Sequence, residues 1–136
     1  MTEFTGSWRL RRLVWDGRGD RFLRGEGTAS FTRLTTTDWR LREDLFFDGR
    51  DGYRETIWSA EKARLSIRFA DGLPLVDLDS SGLPSESWHL CGEDRYCARL
   101  IHWSGTSILL GWRVLGPRKD YVMLTRYARD GKGDGS

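Results

Sequence analysis

Short runs of alternating apolar and polar residues, each cut off by a turn rich in Gly, Asp or Pro, leave this chain little choice but an antiparallel sheet. The runs are SWRLRRLVW, GEGTASFTRL, DWRLREDLFF, YRETIWS, ARLSIRFA, PLVDLD, ESWHLC, RYCARLIHW, SILLGWRVLG and DYVMLTRYAR. Between them stand DGRGD, DGRDG, ADGLP, SSGLP and GPRK, whose residues suit tight turns between antiparallel neighbours. WSAEKARL is expected to add one helical turn. The fold class is therefore all-β, a meander of about ten strands. A long meander with no helices to cover it removes its edges by closing, so a single barrel is expected. Residues 1–129 form that barrel domain, and residues 130–136, with no apolar anchor, read as a disordered tail.

Closure creates an inside, and the period of two says which residues share it. Trp8, Leu10, Arg12 and Val14 lie on one face of the first strand, and Trp39, Leu41, Glu43 and Leu45 on one face of the third. Each set is apolar apart from one charge. A lone charge on an apolar face is costly unless paired. Either Arg12 and Glu43 partner each other in the core or they line a cavity.

The stretch SESWHLCGEDRYCARLIHW concentrates reactive residue types. If WHLC and DRYC form a hairpin turning at Gly92-Glu93, Cys91 faces Asp94 and His89 faces Tyr96, so all four share one face. Cys91 and Cys97 then point to opposite faces, which argues against a disulfide between them. A thiol nucleophile at Cys91 with His89 and Asp94 is one reading of the cluster. Proton transfer by His89 or Tyr96 is a second. A metal site using His89, Cys91, Asp94 and His102 lacks the paired spacing that zinc needs, and no metal is assigned. The plainest reading is a hydrogen-bond network that fixes the hairpin.

Composition narrows the classes further. Twenty-two basic and twenty acidic residues leave a formal charge of +2, so no nucleic-acid partner is expected. The N-terminus has no apolar core of a signal peptide and no window approaches a membrane span, so a cytoplasmic protein with reduced thiols is expected. GPRK reads first as a hairpin connection, yet Arg118 and Lys119 could meet an anionic head group at a barrel mouth. Seven tryptophans are many for 136 residues. Some must plug the barrel, while Trp39, Trp58, Trp103 and Trp112 could include stacking walls for a flat ligand.

The spacing H-x-C-x-x-D-x-Y over His89, Cys91, Asp94 and Tyr96, followed by W-x-V-x-G-P-R-K-D-Y from Trp112 to Tyr121, resembles an uncharacterised bacterial and fungal family, domain of unknown function 6314. G-x-W-x-L-x-R at Gly6 to Arg12 and the Arg42-Glu43 pair also fit that family. The G-x-W opening with a last-strand arginine is also similar to the calycin superfamily of lipocalins and fatty-acid-binding proteins. That resemblance implies a calycin-like barrel in which Gly6 and Trp8 open the chain, Trp8 plugs one end, and Trp8 packs against an arginine such as Arg126. The chain departs from the family pattern at Thr56, where a tyrosine would stand, and at Leu73 and Val76, where arginine and histidine would.

Two functional classes follow. The first is a non-catalytic binder, monomeric or homodimeric and needing no cofactor, whose small-molecule ligand meets Arg12, Glu43, Arg54, His89, Asp94 and Tyr96 among walls that include Trp58 and Trp112, with Lys119 and Tyr121 near the head group. Such a ligand is polar or anionic and partly apolar or aromatic. The second is a cofactor-independent lyase, isomerase or cyclase in which His89 or Tyr96 moves a proton and Arg12 or Lys119 steadies negative charge. Haem held by His89 or His102 is a third reading.

Overall fold

The computed structural model describes residues 4–129, and the tail expected at residues 130–136 lies outside the described residues. Every run of alternation in the sequence is a strand: β1 (Gly6–Asp16), β2 (Arg21–Arg33), β3 (Asp38–Phe47), β4 (Arg50–Glu61), β5 (Arg64–Phe69), β6 (Pro74–Asp79), β7 (Ser85–Cys91), β8 (Asp94–Trp103), β9 (Ser107–Gly116) and β10 (Lys119–Arg129). The helical turn expected at WSAEKARL does not form. β4 instead runs to Glu61 and hands over to β5 through Lys62 and Ala63, with Lys62 in the left-handed region at φ 57°. A two-residue turn lets both strands keep their ladder, which outweighs the weak helical preference of Ala, Glu and Lys.

All ten strands belong to one antiparallel sheet in the order β6-β5-β4-β3-β2-β1-β10-β9-β8-β7, so the first and last strands pair and the sheet curls into a nearly closed barrel. The remaining seam lies between β6 and β7. Two side chains bridge it: Ser87 Oγ accepts from Asp77 N at 3.3 Å, and Ser85 Oγ accepts from Asp79 N at 3.0 Å. These serines occupy amides that would otherwise be an unpaired edge.

Antiparallel hairpins place the turns alternately at the two ends, and the inward residues grade from apolar to polar between them. At one end Phe4 stacks on Phe31 at 5.1 Å and meets Trp39, Trp58 and Trp103 edge-on at 4.8, 5.9 and 5.2 Å. Such pairs add roughly 0.5–1.5 kcal/mol each beyond their burial. Trp8, fully buried, donates its indole N–H to Phe4 O at 2.8 Å. This end is closed by side chains.

The arginine packed on Trp8 is Arg129 and not Arg126. The guanidinium of Arg129 lies 4.3 Å from the Trp8 ring centroid and donates to Thr5 O at 2.9 Å. Register explains the correction: Trp8 pairs with Arg129, whereas Arg126 pairs with Arg11 on the outer face. The period of two puts Thr125, Tyr127 and Arg129 on one side of β10 and Arg126 on the other.

Candidate functional site

Midway along the barrel, β1, β3, β4 and β10 each turn a polar side chain inward. Arg12 donates from Nη2 to Glu43 Oε1 at 2.9 Å and from Nε to Thr125 Oγ1 at 2.8 Å. Arg54 donates from Nε to the same Glu43 oxygen at 3.2 Å, and the Tyr127 hydroxyl donates to Glu43 Oε2. The two alternatives left open for Arg12 and Glu43 are both realised. They pair directly, and together with Arg50, Arg54, Leu45 and Phe47 they line a cavity of about 310 Å3.

Burial by itself would raise the Glu43 carboxyl, but the charges of Arg12 and Arg54 and the Tyr127 hydrogen bond hold it below the usual carboxylate range. Burial, reinforced by the Glu43 charge, pushes the Tyr127 hydroxyl well above its ordinary value, so it stays a neutral donor. Two guanidinium groups thus share one carboxylate.

A second polar group sits at the open end, where the β7–β8 and β9–β10 turns meet. The pairing of β7 with β8 is Cys91 to Asp94, Leu90 to Arg95, His89 to Tyr96 and Trp88 to Cys97, the register that the Gly92-Glu93 turn predicts. The partners within it differ from those a nucleophile would need. Asp94 Oδ2 lies 2.9 Å from Lys119 Nζ, and Lys119 also donates to the Tyr96 hydroxyl at 3.3 Å. The hydrogen bonds to Asp94 and Tyr96 raise the lysine above its ordinary range and keep it charged. Among the described residues the half-buried side chain of His89 makes no hydrogen bond or ion pair, and Cys91 is an exposed thiol. Asp94 therefore pairs with Lys119 rather than with a Cys91–His89 couple, and Asp94, Tyr96 and Lys119 form a network that joins the β7–β8 turn to the β9–β10 turn.

Tyr121 is half-buried on β10, and burial raises its hydroxyl, on which the charges of Lys119 and Arg54 act in the opposite sense. Trp112 faces inward on β9 opposite Ala98 and Met123, and its buried indole N–H finds no acceptor among the described residues. Trp58 belongs elsewhere. It is fully buried in the aromatic plug, donates to Thr56 Oγ1 at 3.2 Å, and so packs the core rather than walling a ligand. The departure at Thr56 thus supplies an acceptor to the plug, while Val76 is buried in the core and Leu73 stands exposed. His102, exposed at a bulge in β8, is remote from His89.

Thr125 and Tyr127 went unnoticed in the sequence. The signal was available, because both alternate with Met123 and Arg129 on the inward side of the last strand. The rim is apolar on its outside. The four most exposed large apolar side chains, Phe22, Leu90, Tyr53 and Leu73, all stand around the open end. Among the described residues no helix is long and apolar enough to cross a membrane, which says nothing of strands.

The fold recurs in solved structures. The S-type phycobiliprotein lyase CPES from Guillardia theta superposes with a TM-score of 0.69 at 12% identity, over 94% of this chain and 89% of the lyase. A de novo designed fluorescence-activating β-barrel gives a TM-score of 0.54 at 15% identity over 93% and 94% of the two chains. The designed barrel EF1p2_mFAP2b, bound to DFHBI, gives 0.56 at 11% identity over 93% of each chain. At these identities the likeness is one of fold. Among curated proteins none matches the sequence significantly. The profile of one family matches residues 4–129, the whole of the described barrel. The chain belongs to this family, DUF6314, a family of unknown function.

Proposed function

We propose that this protein binds a small anionic molecule with an apolar, partly aromatic body, taken into the open end of the barrel. The observation that carries the reading is the charge of the inward polar layer. Arg12 and Arg54 both donate to one carboxylate, Glu43, while the tyrosines beside it stay neutral. The layer therefore holds one positive charge in excess, and it faces a cavity walled by Leu45 and Phe47. Arg54, half exposed, uses only Nε on Glu43, which leaves its terminal nitrogens for a ligand carboxylate.

Lys119 and Tyr121 stand where the same head group would pass, and the unpartnered indole N–H of Trp112 is a donor for a ligand oxygen. Likeness of fold to a barrel bound to DFHBI agrees with a small molecule in such an interior. In this reading His89 and Tyr96 bound the entrance.

The test compares 8-anilinonaphthalene-1-sulfonate with its uncharged parent, N-phenyl-1-naphthylamine, by fluorescence titration. The anion should bind in a 1:1 complex at least about tenfold more tightly than the neutral molecule, a difference of about 1.4 kcal/mol. Arg54→Gln should remove most of that preference. Equal affinities for the two probes in the native protein would remove the anionic reading.

A further inference from the structure

The outer wall carries a second, unexplained charge pattern. Arg40, Arg42, Arg64 and Arg68, projecting from β3 and β5, each have a carboxylate within 4.0 Å: Glu55, Asp44, Asp77 and Asp38. On the adjoining strands β2, β1 and β10, Arg24, Arg9, Arg11 and Arg126 have none within that distance among the described residues. Register makes the contrast sharper. Arg11 and Arg126 sit directly opposite each other on paired strands, with Arg9 two residues along the same face. Like charges directly opposite are destabilising, and only Glu26, opposite Arg11 on β2, offsets them, so the face keeps a net positive charge.

The face is also hollowed. A concavity of about 300 Å3 is lined by Arg9, Arg11, Arg126 and Ala128. A neighbouring one of about 440 Å3 shares Arg11 and Arg126 and adds Arg24, Leu13, Leu109 and Leu124, with Glu26 its one acid. Leu13 pairs with Leu124 beside the arginine pair, so an apolar floor adjoins the cationic pocket.

From this juxtaposition we infer a second binding site, on the outer face of β1 and β10, for a phosphomonoester: Arg9, Arg11 and Arg126 hold the phosphate and Leu13, Leu109 and Leu124 hold an apolar substituent. Guanidinium forks match phosphate oxygens in bidentate fashion, and a dianion answers an arginine cluster better than a single carboxylate does. A soluble ester and a lipid phosphate headgroup present the same chemistry to this site. Arg9, Arg11 and Arg126 point away from the barrel interior, and the site meets it only at Arg12, which also lines the larger concavity.

The experiment titrates the intact protein with phenyl phosphate and with inorganic phosphate by calorimetry, and with phosphatidylcholine vesicles containing phosphatidic acid or phosphatidylglycerol. Phenyl phosphate should bind saturably, at least tenfold more weakly to Arg11→Gln/Arg126→Gln. Leu124→Ser should weaken phenyl phosphate several-fold while leaving inorganic phosphate unchanged. Preference for phosphatidic acid over phosphatidylglycerol identifies the lipid source, and equal vesicle binding with retained phenyl phosphate binding identifies a soluble ester. Folding supplies its own check. At low salt Arg126→Gln should raise Tm in the absence of phosphate, and phosphate should raise Tm of the native protein but not of the double variant. Undiminished phenyl phosphate binding by the double variant, or tighter binding of a single-stranded oligonucleotide than of phenyl phosphate, overturns the site.

Discussion

Arg12 and Glu43 meet at 2.9 Å in the middle of the barrel, both buried, at the boundary between the packed aromatic half and the half that opens to solvent. Removing Glu43 leaves Arg12 buried and uncompensated, a loss of about 3–5 kcal/mol. Glu43→Leu should destabilise by an amount in that range in urea unfolding, and Arg12→Leu by less, because Arg54 and Tyr127 still hold the carboxylate. The double variant should recover most of the loss, since hydrophobic replacement of a whole buried pair is often neutral. Additive losses in the double variant would show that the two act independently.

Acid sensitivity follows from the same carboxylate. The folded protein holds Glu43 below its ordinary pKa, so the unfolded chain binds more protons and the pair's contribution is fully present above the normal glutamate range near pH 4.3. It is lost as the pH falls through the depressed value. Asp38, held low by the Ser59 hydroxyl and by Arg68, adds to the same limb. Denaturant midpoints measured from pH 7 to pH 3 should fall steeply below about pH 4.3. Glu43→Gln should start lower at pH 7 and fall less over the same interval, retaining the part of the slope that Asp38 supplies.

Gly116 is a matter of space rather than of backbone angle. A Cβ placed there would lie 2.0 Å from Asp94 Oδ1, so Gly116→Ala must push the carboxylate away from Lys119. The ion pair is partly exposed, and its loss should cost no more than about 1 kcal/mol. Its electrostatic mark should be clearer. In ammonium-detected NMR the Lys119 pKa of Gly116→Ala should move down toward the ordinary lysine value. An unchanged Lys119 titration would mean that Tyr96, and not Asp94, sets its charge state.

The seam between β6 and β7 depends on two hydroxyls. Ser85→Ala together with Ser87→Ala removes the acceptors of Asp79 N and Asp77 N, at about 1 kcal/mol each. Amide exchange at Asp77 and Asp79 should accelerate by roughly tenfold or more in the double variant, while exchange at Leu10 in the β1 ladder stays near its native rate. Equal acceleration at all three positions would indicate global loosening instead of an opened seam.

Local pattern carried most of the fold. Alternation and turn residues placed every strand, and the Gly92-Glu93 turn fixed the His89–Tyr96 register. What alternation could not supply was the offset between strands distant in sequence. Only the pairing of β1 with β10 decides that Arg129 rather than Arg126 reaches Trp8, and Lys119 reaches Asp94 only because β9 sets Gly116 between their strands. The same limit hid Tyr127 and Thr125, whose roles depend on Glu43 and Arg12 arriving from strands on the other side of the chain. Trp58 meets a related limit. Its inward direction is legible, but whether it faces ligand or plug depends on Phe4 and Phe31.

The most direct test of an interior binding site uses one methyl group. Met123 is the single methionine among the described residues; it faces inward opposite Trp112, above the Arg12–Thr125 layer. With methyl-13C methionine, adding 8-anilinonaphthalene-1-sulfonate should shift the Met123 resonance and saturate at one equivalent, as the ring current of a bound aromatic ligand requires. A Met123 signal that stays still while the dye's fluorescence rises would place binding on the outer surface and contradict a ligand inside the barrel.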